Sequence, residues 1–453
     1  MENLIKMKIK KKMYQDNLQK EQTSLFNTFA FPSYEEIIDT YAKEFKKYVI
    51  PKGETIFGFW MQTLADLELL DLELKGLTEE YTIDPINRTV DLKGDEELIM
   101  LRVAHLEKVK GKSTIYTEFV DKFGDTNAYA FHNIYPYKGK FYPRVVRTLI
   151  NAFKLNQNSL LLDPFNGSGT TTHEASIMGI KSVGIDVTPM GVILSELKND
   201  LLFIDEQKLT FTQNELKDIL NAIENREWEH NNNLIYKLML VIYFDTIDAF
   251  TRTSRYNRKG KLGVFIEKFN YIRECYKKIM LIKEKYDLKF ERAHIVEGNT
   301  LELKNMTDFK EKFDACITSP PYYFSIDYVG KDKIAYDYLG VDMKMIESKY
   351  LGMRNRVQTK NIYSGLPTKV MVYYEDLKES IKNIFWALKP GGKLAVIIGD
   401  STVNGRKIPT TMMTKKFCEE VGFKFEKLIF NPLLGARNRA IRGESIIICE
   451  KER

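Results

Sequence analysis

Two consecutive stretches constrain this 453-residue chain more than any other. "NSLLLDPFNGSGTTTHEASIMGI" (158–180) reads as a short apolar strand, a glycine turn and a helix, and "KSVGIDVTPMGVILSELKND" (181–200) repeats that order. Apolar runs too short for a helix, rich in β-branched residues and bounded by Gly or Asp, predict strands covered on both faces. Five more runs of this kind follow: "AHIVEGN" (293–299), "FDACITSPPY" (313–322), "GGKLAVIIGD" (391–400), "KFEKLIFNP" (424–432) and "ESIIICEK" (444–451). Helical patterns separate several of them, notably "YEDLKESIKNIFWALK" (374–389). Strands alternating with helices predict an α/β fold with a doubly wound, mostly parallel sheet. The last two runs have only the "LLGARNRAIRG" loop between them and predict an antiparallel closing pair.

This pattern occupies residues 126–453 and is interrupted twice. A mostly helical insertion is expected at 200–292 and a looser one at 324–372. Residues 1–125 read as an α+β accessory region without a chemical motif of their own. "GKST" at 111–114 would end a phosphate-binding loop only with Gly at position 106, where Leu106 stands. No apolar run reaches the roughly 18–20 residues of a membrane helix. The basic N-terminus lacks the apolar core of a signal peptide. Cys275, Cys316, Cys418 and Cys449 lie far apart, without metal-ligand or disulfide-framework spacing. A reducing, cytoplasmic location with no membrane association and no metal is expected.

The first unit points to a cofactor. Gly167 and Gly169 let backbone approach a ligand closely, and Thr170 opens a helix whose first N–H groups lack partners. Asp163 ends the first strand, and Asp186 ends the next strand 23 residues later. In doubly wound folds an acid near that spacing receives ribose hydroxyls, which indicates an adenosine-containing cofactor. A nicotinamide dehydrogenase fits less well, because "GSGTT" lacks the third glycine of the dinucleotide fingerprint.

The second pointer is "ITSPPYY" (317–323). Two consecutive prolines remove two N–H donors, so the strand must stop there and a turn must follow. Such a turn leaves a serine hydroxyl, stiff carbonyls and tyrosine rings at the carboxyl end of a sheet, where ligands bind in open α/β folds.

Together these segments resemble DNA amino-methyltransferases, the cytosine-N4 and adenine-N6 type. "DPFNGSGTT" is similar to their S-adenosylmethionine motif and "TSPPY" to their catalytic motif. "FHNIYPYKGKFYPRVVRTLI" (131–150) resembles the segment preceding the glycine motif, and "LKPGGKLAVIIGD" the fifth strand with its turn. The resemblance covers about 130–200 and 293–450 and implies a Rossmann-like methyltransferase sheet. It implies that Asp163, Phe165, Gly167, Gly169 and Thr170 bind the cofactor, that Asp186 takes the ribose, and that Lys140 and Tyr142 help hold it. Asn299 stands where the family often has an acid near the adenine. Ser319, Pro320, Pro321 and Tyr322 would form the catalytic turn. Ser319 and the Pro320 carbonyl would accept hydrogen bonds from the target amino group, and Tyr322 would stack on a flipped base.

Serine before Pro-Pro-Tyr accompanies cytosine N4 in the family, whereas Asp or Asn accompanies adenine N6. The resemblance therefore implies a site-specific DNA (cytosine-N4) methyltransferase acting on double-stranded DNA, in a restriction–modification system with a cognate endonuclease. Adenine-N6 or RNA amino-methylation is the alternative, and a non-catalytic nucleic-acid-binding protein a more distant one. Carbon-5 methylation fits poorly, since its cysteine nucleophile follows proline in related enzymes. None of the four cysteines does. The net charge of +6 is modest, yet "TRTSRYNRKGKL" (251–262) holds Arg252, Arg255, Arg258, Lys259 and Lys261 with no acid among them. That cluster is expected to contact the DNA backbone.

Overall fold

A computed structural model describes residues 53–137, 139–230, 233–252, 259–322, 332–353, 367–403, 406–432 and 443–452. The first part forms a five-stranded sheet, β1 (Ile56–Phe57), β2 (Glu80–Asp84), β3 (Thr89–Lys93), β4 (Leu106–Val109) and β5 (Lys112–Ser113), in the order β2-β3-β1-β4-β5. Helices α1 (Leu64–Leu77), α2 (Glu96–Arg102) and α3 (Ile115–Phe123) accompany it. Thr63 and Asp66 form a reciprocal capping box at the start of α1, satisfying N–H groups that the helix leaves free.

After α4 (Pro143–Ala152) the predicted alternation begins: β6 (Leu160–Asp163), α5 (Thr170–Ile177), β7 (Lys181–Asp186) and α6 (Pro189–Asp200). Thr188 caps α6 and Pro189 starts it, a position where the missing proline N–H costs nothing. The first insertion supplies α7 (Gln213–Glu224), α8 (Asn233–Arg252) and α9 (Gly260–Lys285), and β8 (Ala293–Glu297) and β9 (Phe313–Thr318) return the chain to the sheet. Two short helices, α10 (Lys333–Leu339) and α11 (Met343–Lys349), belong to the second insertion. Then follow α12 (Thr368–Ala387), β10 (Leu388–Ile398), a hairpin of β11 (Ser401–Val403) and β12 (Arg406–Ile408), α13 (Thr410–Val421), β13 (Phe423–Pro432) and β14 (Gly443–Lys451).

The main sheet has seven strands in the order β13-β14-β10-β9-β6-β7-β8. Strands β8, β7, β6, β9 and β10 run parallel, and β14 is antiparallel to both β10 and β13. The expected closing pair is present, with β14 wedged between β13 and the rest. The doubly wound architecture with one antiparallel closing strand is what the strand runs predicted.

Both faces of this sheet are covered, and the side-chain period of two divides them. Leu162, Cys316, Val396 and Ile398 join a core with α12 and α13. Leu161, Ala315, Ile317, Ala395 and Ile397 join one with α1 and α4 on the other side. A third core runs without interruption from the N-terminal sheet through α6 into the insertion helices α7–α9. The composition change near residue 125 therefore marks no gap in packing.

Buried charges fasten the N-terminal region to the sheet domain. Arg144 reaches Asp66 at 2.9 Å, and Asn151 donates to Glu73 at 2.7 Å. Glu174, on α5, accepts from Arg147 Nε at 2.6 Å and from Tyr129 at 2.7 Å, with His132 Nε2 at 3.1 Å. Arg147 holds the Glu174 carboxyl below its usual range against the cost of burial, while desolvation lowers His132 to about 4. His132 is thus neutral near pH 7.

Candidate cofactor pocket and catalytic turn

The chain builds β6, moves outward through β7 to β8, and comes back to place β9 on the other side of β6. The strand order reverses between β6 and β9, and a crevice opens at their carboxyl ends. The glycine turn leaves β6 there and the double-proline turn leaves β9. Two motifs about 150 residues apart thus meet because the topology brings their strands side by side. Thr318 Oγ1 donates to Asp163 Oδ1 at 2.6 Å and ties the two strand ends together.

The pocket at this edge is lined by Tyr137, Pro164, Phe165, Gly167, Asp186 and Asn299, with Ser319 and Pro321 from the double-proline turn. Lys349, Tyr350 and Leu351 of the second insertion form part of its wall. Gly167 has φ 49°, and an added Cβ would meet the Tyr137 ring at 3.3 Å, so the position needs glycine for both conformation and space. Its N–H donates to Asp186 Oδ2 at 2.7 Å, while Asp186 Oδ1 accepts from Thr188 N at 2.8 Å and Thr188 Oγ1 at 2.5 Å. Burial raises the Asp186 carboxyl, only partly offset by these bonds. A carboxylate can accept about four hydrogen bonds, so the one bond on Oδ2 leaves room for a hydroxyl donor. Flat apolar walls beside one half-buried acid suit an adenosine. Asn299 caps a short 3-10 turn through Leu301 N, and its Nδ2 donates to the Lys349 carbonyl at 3.3 Å.

Other residues expected to bind the cofactor stand behind the pocket. Asp163 is 1% exposed and spends Oδ1 on Phe165 N at 3.1 Å and on Thr318. Burial pushes its carboxyl up to about 6. Gly169 has φ 77°, and a Cβ there would strike Ser195 Cβ at 2.7 Å, so it permits close packing of α5 on α6. Thr170 is buried at the start of α5. Lys140 donates to the carbonyls of His132 at 3.0 Å and Tyr135 at 3.4 Å, bracing its own segment. Tyr142 precedes α4 and packs into the core formed with α1. None of these five lines the pocket. Their motifs shape the turn, and the turn shapes the pocket. Lys198, also unforeseen, is fully buried and donates to the Ser168 carbonyl at 2.7 Å, holding the glycine turn from below.

On the catalytic turn, Ser319 is half-buried and its hydroxyl has no hydrogen bond among the described residues. Pro321 is capped by Tyr373, whose hydroxyl donates to its carbonyl at 2.9 Å. Tyr322 differs from the expectation of a free stacking ring. It is 8% exposed, packs in the core with α12, and donates its hydroxyl to Glu444 Oε1 at 2.6 Å. The apolar strand that carries the turn draws the ring inward. All four cysteines are buried, and desolvation lifts the Cys316 thiol well above its usual range, which suits no nucleophile.

Of the basic cluster, Arg255 and Arg258 lie outside the described residues, as does the side chain of Arg252, which ends α8. Lys259 and Lys261 are exposed and pair with acids outside the segment, Glu267 on α9 at 2.7 Å and Glu224 on α7 at 2.6 Å. The acid-free segment of the sequence is therefore not acid-free in space. Sequence reading missed Tyr137, Lys349–Leu351, Tyr373 and Glu444. Tyr137 and Glu444 stood in segments already singled out, the aromatic loop before the glycine motif and the last strand run.

The chain is similar to several known proteins. The DNA methylase family model matches residues 3–192, which takes in the glycine turn and the motif-free N-terminal region and ends before Ser319. The Type II methyltransferase M.BsoBI of Geobacillus stearothermophilus is 24% identical, over 78% of this chain and 92% of its own. The Type II methyltransferase M.MjaII of Methanocaldococcus jannaschii is 40% identical over 23% of this chain and 18% of its own. A solved S-adenosylmethionine-dependent methyltransferase from Methanosarcina mazei shares 11% identity over 67% of this chain and 97% of that one, with a TM-score of 0.31. Over residues 3–192 the chain is thus similar to the DNA methylase family, and along most of its length to Type II methyltransferases.

Proposed function

We propose that the protein is a site-specific methyltransferase for the exocyclic N4 of cytosine in double-stranded DNA, working as the modification partner of a restriction endonuclease. The observation that carries this reading is Ser319, a hydroxyl with no hydrogen bond among the described residues, at the end of β9 and on the wall of the pocket that holds Asp186. S-adenosylmethionine, when bound, supplies the methyl group. Asp186 receives its ribose, Phe165 and Gly167 face it, and Asn299 stands on the adenine side.

An exocyclic amino nitrogen is a poor nucleophile because its lone pair is delocalised into the ring. Ser319 Oγ and the Pro320 carbonyl accept its N–H hydrogens and favour a pyramidal nitrogen with an available lone pair. Pro321, on the far side of the peptide, keeps the Pro320 carbonyl stiff. Tyr322, packed in the core and bound to Glu444, anchors the end of this turn. Holding reactants in such geometry can lower a barrier by about 7–11 kcal/mol. Serine rather than Asp or Asn at position 319 favours cytosine, and the Type II names of the relatives favour the restriction–modification setting.

Nucleoside mass spectrometry of DNA from an expressing host tests the reading. N4-methylcytosine is the expected product. N6-methyladenine alone would transfer the site to adenine, and label in RNA alone would remove DNA as the substrate.

A further inference from the structure

Among the described residues of the double-proline turn, the Ser319 hydroxyl and the Pro320 carbonyl are polar groups without a hydrogen bond. Thr318 is bound to Asp163 before the turn, the Pro321 carbonyl takes the Tyr373 hydroxyl, and Tyr322 is bound to Glu444 after it. Tyr373 is 1% exposed on α12, and Glu444 is 9% exposed at the start of β14. Glu444 reaches this edge only because β14 runs against its neighbours. The register pairs Ile398 with Ser445, which sets the beginning of β14 beside the carboxyl end of β10. A carboxylate inside a core is costly unless it serves a bound partner. Here the partner is the tyrosine hydroxyl of the turn.

We propose that Glu444 and Tyr373 are positioning residues for methyl transfer, clamping the double-proline turn through Tyr322 and Pro321 so that Ser319 and the Pro320 carbonyl stay aimed at the target amino group. Glu444 fixes where the Tyr322 ring packs, and so the backbone that carries Ser319 and Pro320 just before it. Tyr373 occupies the Pro321 carbonyl and leaves its neighbour's as the acceptor. The clamp rests on the functional reading above, since it acts only on a base brought to Ser319.

The test measures initial rates of transfer from tritiated S-adenosylmethionine to genomic DNA of a host lacking the enzyme, with total RNA of that host in parallel. Glu444→Ala should lower kcat by about 10- to 100-fold, the loss expected for one hydrogen bond to a charged group. Affinity for S-adenosylmethionine, read by calorimetry, should change less than twofold. Glu444→Gln keeps an acceptor oxygen at the same reach and should recover most of that rate. Tyr322→Phe with Glu444→Ala should be no slower than Tyr322→Phe alone, because each removes the same bond. Tyr373→Phe keeps its ring and serves as a second probe if Glu444→Ala folds poorly. It should lower kcat several-fold at unchanged thermal midpoint. Additive losses at Glu444 and Tyr322, no rescue by Gln, or wild-type rates in Glu444→Ala and Tyr373→Phe would overturn the clamp. Label in RNA alone would overturn the DNA substrate and leave the clamp to be judged on RNA. A wild-type protein that labels neither overturns both.

Discussion

Asp163→Asn should stabilise the cofactor-free protein, and by an amount that depends on pH. The carboxyl is 1% exposed, with Oδ1 satisfied by Phe165 N and Thr318, while Oδ2 is buried without a close partner. Thr171 Oγ1 donates to the Ile317 carbonyl at 3.3 Å and, with Thr318, offsets only part of the cost of burying the Asp163 charge. Burial raises the group from 3.8 to about 6. A folded-state value above the unfolded one means that Asp163 contributes stability below about pH 3.8 and loses it as pH rises through about 6. The difference is worth about 3 kcal/mol at pH 8 and about half that at pH 5, at 1.36 kcal/mol per unit. Asparagine keeps the Oδ1 acceptor and carries no charge to bury. Denaturant unfolding at pH 5, 6, 7 and 8, monitored by circular dichroism, should show the variant gaining on the wild type across that series. A variant no more stable at pH 8, or an advantage that does not change with pH, would refute the claim that Asp163 is buried against its charge. The wild type tolerates this cost because Asp163 joins the ends of β6 and β9.

Ser319→Ala should keep S-adenosylmethionine binding by calorimetry and lose most methyl transfer, whereas Asp186→Ala should weaken binding itself. Loss of binding in Ser319→Ala would reverse those roles. Glu174→Ala leaves Arg147 buried without its carboxylate and should cost about 3–5 kcal/mol in denaturant unfolding. A loss under 1 kcal/mol would mean that the joint around α5 is not held by this pair. Replacing Arg252, Arg255, Arg258, Lys259 and Lys261 by Ala should flatten the salt dependence of DNA binding, by about 0.9 in slope for each phosphate that is no longer neutralised. An unchanged slope, measured by fluorescence anisotropy, would leave these cations as surface charge paired to Glu267 and Glu224.

The sequence by itself determined the elements and their chemistry. Runs such as "LLLD" and "FDACIT" are strands because short β-branched segments flanked by Gly and Pro have few other buried solutions, and "GSG" and "SPP" are turns because their backbones allow little else. Asp186 was legible because its spacing from the glycines is set within one β-turn-α unit. Tertiary structure alone decided what those turns face. Asp163, Gly169 and Thr170 belong to the right motif but point beneath the turn, a matter of which side of a strand end meets the neighbouring strand. Lys349–Leu351 reach the pocket from a segment with no periodicity to place it, and Lys261 found its acid, Glu224, on α7, 37 residues away. Glu444 lies 122 residues from Tyr322 and meets it only because β14 enters the sheet antiparallel, between β13 and β10. Strand order and direction are settled by the packing of the whole sheet, and no local pattern around Glu444 encodes them.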